Sequence, residues 1–183
     1  MKKSLCILLA MLVVAPLFAF SETEKPDRKN VVKINTLTLI LGMGSVYYER
    51  KINDGMSGQL GATYVNYTFG EKTKFTGLSV SPEVRFYFQN DAVDGVYAAP
   101  YARYQKFDLD NNETNDNASY SNIGGGIALG RQWITKSGFT MDLFFGGHYS
   151  SGKIEGASGD ESFSTDLFEG FGIRAGFLLG FAF

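Results

Sequence analysis

The chain has 183 residues, a formal net charge of −2, one cysteine and one histidine. A slightly acidic balance opposes nucleic-acid binding, and a lone cysteine excludes an internal disulfide framework. The 22 glycines and 15% aromatic content instead suit a chain of strands and turns.

Met1-Lys2-Lys3 precedes an apolar run from Leu5 to Phe20 that ends near the small residues Ala19 and Ser21. This is the n-region, h-region and cleavage pattern of a secretory signal peptide. A membrane anchor is the competing assignment, but Pro16 interrupts the run, which is short for a span, and no stop-transfer charges follow directly. Residues 1–21 are therefore expected to be removed, leaving about 160 residues, one domain by length. Cys6 leaves with the signal, and the loss of Lys2 and Lys3 makes the mature chain more acidic. Residues 22–30, which include Pro26 and several charges, read as a polar linker.

Beyond residue 30 no window carries a helical stripe, whereas alternation of apolar with small or polar residues recurs. The alternation predicts strands at Val31–Leu41, Ser45–Ile52, Ser57–Phe69, Phe75–Gln89, Val96–Leu109, Ser119–Ile134, Phe139–Ser150 and Phe168–Phe183. Turn chemistry at Asn53-Asp54-Gly55, Asn90–Gly95 and Lys136-Ser137-Gly138 alternates with more polar connections at 71–74, 110–118 and 152–166. Gly42-Met43-Gly44 reads as a tight turn. The expected fold is all-β: an eight-stranded antiparallel up-and-down transmembrane β-barrel with short periplasmic turns, longer outer loops and both termini periplasmic. Residues 31–183 form it.

Period two also assigns the faces. In the fourth strand Leu78, Val80, Val84, Phe86 and Phe88 share one face, and Glu83, Arg85 and Tyr87 the other. A charge facing mid-bilayer costs about 2–4 kcal/mol, so Glu83 and Arg85 point inward. The same reasoning places Glu49, Tyr97, Tyr101, Arg103, Gln132, Asp142, Phe144, His148 and Arg174 inside. A lumen network of Glu49, Glu83, Arg85, Arg103, Asp142 and Arg174 is expected, balanced in sign, with Glu83 opposite Tyr101 and diagonal to Arg103. Outward go Ile123, Ile127, Leu129, Phe145 and Trp133, the last beside a periplasmic turn as an interfacial aromatic, with Arg131 snorkelling next to it. Pro82 and Pro100 fall mid-strand and predict bulges. The first and third strands have mixed faces and are left unassigned.

The chain resembles the small eight-stranded outer-membrane barrels of the OmpA/OmpX-like superfamily. The segments Gly44–Arg50, Ser81–Phe88, Ala99–Tyr104, Gly124–Gly126 and Phe139–Phe144 are similar to a family of uncharacterised exported barrels. The resemblance implies a bacterial outer-membrane location, contact with outer-membrane lipid and interior salt bridges. It also implies a C-terminal signal, here Phe177, Leu179, Phe181 and Phe183, read by the barrel-assembly machinery. Recognition of an extracellular ligand would fall to the loops at 110–118 and 152–166.

Two other functions compete. His148-Tyr149-Ser150 resembles the His-x-Ser of outer-membrane lipid A deacylases, with Glu155, Glu161 or Glu169 to orient the imidazole. It departs from that pattern in having Ser151 where those enzymes have Asn, and in facing the lumen. A secreted, lipocalin-like soluble barrel is the other alternative, and the outward Phe/Leu bands oppose it. Gly124-Gly125-Gly126 is neither a phosphate loop nor a helix-pairing motif, because it lies in a strand. No cofactor is expected, nor any metal site, since His and Cys do not cluster.

Overall fold

A computed structural model describes residues 27–69, 73–89, 91–111, 116–155 and 170–183. Its strands are β1 (Asn30–Asn35), β2 (Met43–Asn53), β3 (Met56–Phe69), β4 (Thr73–Tyr87), β5 (Gly95–Asn111), β6 (Asp116–Ile134), β7 (Phe139–Glu155) and β8 (Gly170–Ala182). Each pairs antiparallel with its neighbour in sequence, and β1 pairs with β8, from Val31↔Ala182 to Asn35↔Leu178, closing the barrel. The start of β1, the end of β8 and the connections β2–β3, β4–β5 and β6–β7 lie at one end, called lower here.

Alternation sorts the side chains as a barrel in lipid requires. In β2 Ser45, Tyr47 and Glu49 are buried while Val46 and Tyr48 are exposed; in β7 Thr140, Asp142 and Phe144 are buried while Phe139, Leu143 and Phe145 are exposed. Large apolar residues are bare on the outside, with Ile123, Ile127 and Ile173 at 66%, 62% and 72% exposure, while Lys33, Glu49, Arg85, Gln132 and Asp142 are wholly enclosed. A soluble domain has the opposite distribution.

Four sequence expectations need correction. First, the strand expected over Val31–Leu41 stops at Asn35, where a short helix α1 (Thr36–Ile40) begins. Asn35 caps that helix, its side chain accepting from the Leu37 amide at 3.1 Å. The connection to β2 is thus α1 followed by Gly42 in the left-handed region (φ 77°), rather than a Gly42–Gly44 turn.

Second, no bulge forms at either proline. Across the β4–β5 seam the register keeps step through Val80↔Tyr104, Glu83↔Tyr101 and Phe86↔Ala98, with equal residue numbers on both strands. The outer ladders run unbroken through Leu60↔Pro82 and Pro100↔Ile127. Both missing N–H groups therefore fall on the same seam, which keeps its register but loses pairing around Glu83↔Tyr101. On the outer wall this leaves a groove of about 590 Å³ lined by Leu60, Pro82, Val84, Pro100 and Ala102.

Third, the strands flanking two of the upper connections run further than expected. β5 and β6 continue through Asn111 and from Asp116, and β7 runs to Glu155. Of the loops expected at 110–118 and 152–166, residues 112–115 and 156–166 lie outside the described residues, as do the signal peptide and most of the linker. The fourth correction concerns Arg103 and is taken up with the lumen.

The lower mouth is closed by the β4–β5 turn. Ala92 and Val93 tuck under the barrel, at 4% and 3% exposure, and Val93 packs with Val31, Ile134 and Ala182. The Ala92 amide donates to the Asp54 carbonyl at 2.7 Å and Gln132 Nε2 to the Val93 carbonyl at 2.6 Å. These ties hold Val93, a β-branched residue, at φ 72°, where such side chains are rarely found.

Candidate functional site in the barrel lumen

The lumen is built from alternate residues of all eight strands and divides into two levels. The lower level is a closed set of ion pairs. Lys33 Nζ, from β1, donates to Glu49 Oε2 at 2.5 Å and Asp142 Oδ2 at 3.0 Å. Arg85 Nη1, from β4, reaches the same two carboxylates at 3.2 and 2.8 Å, and its Nε donates to Glu83 Oε1 at 2.7 Å. Gln132 Oε1 accepts from Lys33 and Arg85 while Gln132 Nε2 donates to Glu49. Three hydroxyls complete the carboxylate shells: Ser57 and Tyr87 donate to Glu49, and Tyr97 to Asp142.

Five of these residues, Lys33, Glu49, Arg85, Gln132 and Asp142, come from five different strands and converge on the barrel axis. Isolated buried charges would cost several kcal/mol each, so they persist only because each has opposite charge and hydrogen bonds around it. Arg85 also lies flat on Tyr97, its Cζ 4.1 Å from the ring centroid. Side chains fill this level from wall to wall, as eight strands allow.

The upper level is linked to the lower through Glu83, which takes Arg85 on Oε1 and Arg174 Nη1 on Oε2 at 2.7 Å. Arg174, from β8, is held between two rings, its Cζ 4.2 Å from Tyr101 and 4.7 Å from Phe144. Arg103 behaves differently from the expectation. The register does put Glu83 opposite Tyr101, but the carboxylate turns to Arg85 and Arg174, and no ion pair reaches Arg103 among the described residues. Glu83 is already satisfied by two guanidiniums and Gln59, which leaves Arg103 resting on the Tyr101 ring at 5.8 Å.

His148 and Ser150 both face the lumen on β7. His148 lies against Gly172 of β8, where a Cβ would come within 2.7 Å of its Nε2, and Ser150 is buried. His148 Nδ1 has no hydrogen-bond partner, and the charged groups acting on the ring are Arg103 and Arg174. A Ser–His–acid hydrolase needs a carboxylate there; of the three candidates only Glu155, the last residue of β7, falls within the described residues. Glu161 and Glu169 lie outside them. Nor does any group of three or more His, Cys, Asp and Glu among the described residues suit a metal.

At the lower rim Trp133 is outward by parity but covered, at 9% exposure, with Arg131 5.2 Å from its ring. Phe177 and Leu179 are half-buried, while Phe181 and Phe183 are exposed. The Phe183 backbone pairs with Asn30 in both directions, at 2.9 and 2.8 Å.

Sequence reasoning missed Lys33, Gln59 and Ser57. The pattern Val31-Val32-Lys33-Ile34-Asn35 alternates cleanly, but running the strand on through α1 scrambled its faces. In β3, small residues on both faces hid Gln59. With Lys33 included, Lys33, Arg85, Arg103 and Arg174 oppose Glu49, Glu83 and Asp142, four cations to three carboxylates among the described residues. The cation without a carboxylate among these residues is in the upper level.

Among solved structures the barrel is similar to a major outer membrane protein from Thermus thermophilus, with 13% identity, 86% of this chain and all of that chain covered, and a TM-score of 0.53. It is also similar to CarO from Acinetobacter baumannii, with 11% identity, 88% and 100% coverage and a TM-score of 0.48. At such identities the first comparison supports the fold alone. No curated protein matches the sequence. A family model described as "Protein of unknown function (DUF3575)" matches residues 7–159, most of the length, and the chain belongs to that family.

Proposed function

We propose that the protein is an exported, integral barrel of the bacterial outer membrane, with residues 1–21 removed, and that it is non-conducting. Its role is structural, or lies in binding through the upper connections at 110–118 and 152–166. The observation that carries this reading is the inversion of polarity: an apolar outer belt around a lumen closed by Lys33, Glu49, Arg85, Gln132 and Asp142. A barrel with lipid outside and side chains filling its interior has that arrangement. Phe181 and Phe183 on the closing strand would serve as the signal read by the assembly machinery, and short turns would face the periplasm.

Fractionation tests the location. The mature chain is expected with the outer membrane; recovery in the soluble periplasm would favour the lipocalin-like alternative. Planar bilayers test the closure: the purified protein should give no stable single-channel steps. Steps in the wild type would refute a sealed lumen.

A further inference from the structure

We infer that the upper lumen is a binding site for a small oxyanion of the phosphate or carboxylate class, held by Arg103, Arg174, Tyr101 and His148. The first reason is charge. Arg103 is left over after the inward carboxylates Glu49, Glu83 and Asp142 have taken their partners, and it forms no ion pair among the described residues. A guanidinium recessed in a barrel, next to a second guanidinium and an imidazole, is costly unless an anion joins it.

The second reason is convergence. Arg103 and Arg174 approach the same Tyr101 ring, at 5.8 and 4.2 Å from its centroid, and both act electrostatically on His148. The third is unused hydrogen-bonding capacity at that spot. Arg174 Nη2, Tyr101 OH, Arg103 Nε and His148 Nδ1 are enclosed and have no partner, although Arg174 and Tyr101 are only 5% and 6% exposed. Buried polar atoms are almost always paired, so several together mark a place built for something else. They supply donors from three strands, with Arg forks that match the planar or tetrahedral spread of an oxyanion's oxygens.

Glycines on β6 and β8 let β7 and the His148 ring approach closely at this level. Gly124 stands opposite Arg103 and Gly126 opposite Tyr101 on β6, and Gly172 opposite His148 on β8. A Cβ at Gly126 would meet His148 Cα at 2.7 Å, so β7 could not lie where it does with any larger residue there. The site is blind at its lower end, because Glu83 and the Arg85 network lie beneath it. It therefore holds an anion without conducting one.

The test uses the full mature chain, folded in a zwitterionic detergent so that no lipid headgroup contributes charge. Calorimetric titration with inorganic phosphate and, separately, acetate is compared with sodium chloride at matched ionic strength. Saturable binding of either oxyanion, absent with chloride, is expected, and the stronger of the two identifies the class. Arg103→Gln should weaken it roughly tenfold or more, the usual consequence of losing hydrogen bonds to a charged group, while Arg103→Lys should retain part. Folding of each variant is checked by its circular dichroism, since Arg103 lies outside the ion pairs that hold the lumen. Neither oxyanion binding saturably, or Arg103→Gln binding as wild type does, would overturn the proposal. Because the experiment is done in micelles, its failure is distinguishable from failure of the outer-membrane assignment.

Discussion

Arg85 and Arg103 are both lumen arginines, yet the structure gives them opposite consequences on removal. Arg85 makes three charge contacts, to Glu83 at 2.7 Å, Asp142 at 2.8 Å and Glu49 at 3.2 Å. In Arg85→Met, Arg174 still serves Glu83, but Lys33 alone must serve both Glu49 and Asp142. One fully enclosed carboxylate is left uncompensated. Removing one partner of a buried pair costs about 3–5 kcal/mol, and methionine keeps enough volume that little of this comes from a cavity. At about 2–4 °C per kcal/mol for a chain of this size, the midpoint should fall by roughly 6–20 °C. Arg103→Met breaks no ion pair and gives up only a ring contact at 5.8 Å, so its cost should stay under about 1 kcal/mol. Urea unfolding of the two variants in the same micelles, read by tryptophan fluorescence and circular dichroism, makes the comparison. Equal losses in both, or an Arg85→Met barrel within about 1 kcal/mol of wild type, would show that the carboxylates are not held as described.

Other perturbations probe separate features. Ile127→Arg puts a charge on the exposed face of β6 and should destabilise the lipid-inserted barrel by about 2–4 kcal/mol, measured by unfolding from vesicles; a change within about 0.5 kcal/mol, usual for a soluble surface, would argue against lipid there. Gly126→Ala should cost about 1–3 kcal/mol, since its methyl meets His148 Cα, and an unaffected melting curve would mean β6 and β7 can separate freely. Glu83→Gln and Arg174→Gln, singly and together, should show a coupling of about 0.5–3 kcal/mol by double-mutant cycle; additive losses would break the proposed link between the two levels.

Much of this was legible from period-two alternation, because a closed barrel with an apolar outer face forces the alternation to be strict wherever a charge occurs. Glu83, Arg85, Asp142 and Arg174 could point only one way, and all four do so. Which charges pair was not legible. Alternation assigns a face but not a reach across the axis, and the contacts of Arg85 with Glu49 and Asp142 join residues 36 and 57 positions apart. Cross-strand proximity therefore pointed Glu83 towards Arg103, whereas the guanidiniums of Arg85 and Arg174 arrive from the same strand and from across the barrel. The prolines misled for a related reason. A missing N–H matters only on the side it faces, and Pro82 and Pro100 both turn theirs to one seam, which the register of Glu83↔Tyr101 holds together.

That seam bears on how the lumen is stabilised. With β4 and β5 poorly laddered around Glu83 and Tyr101, backbone hydrogen bonds do less to fix these two strands there than in the rest of the same seam. Side chains cross the gap instead. Arg85 of β4 stacks on Tyr97 of β5, Tyr87 packs on Tyr97 with centroids 5.5 Å apart, and Arg174 ties Glu83 of β4 to the Tyr101 ring of β5 from the opposite wall. The charge network is then more than filler. It closes the lower lumen, bridges the interrupted stretch of the β4–β5 seam, and, by engaging Glu49, Glu83 and Asp142 to do so, leaves the charge of Arg103 above it without an ion pair among the described residues.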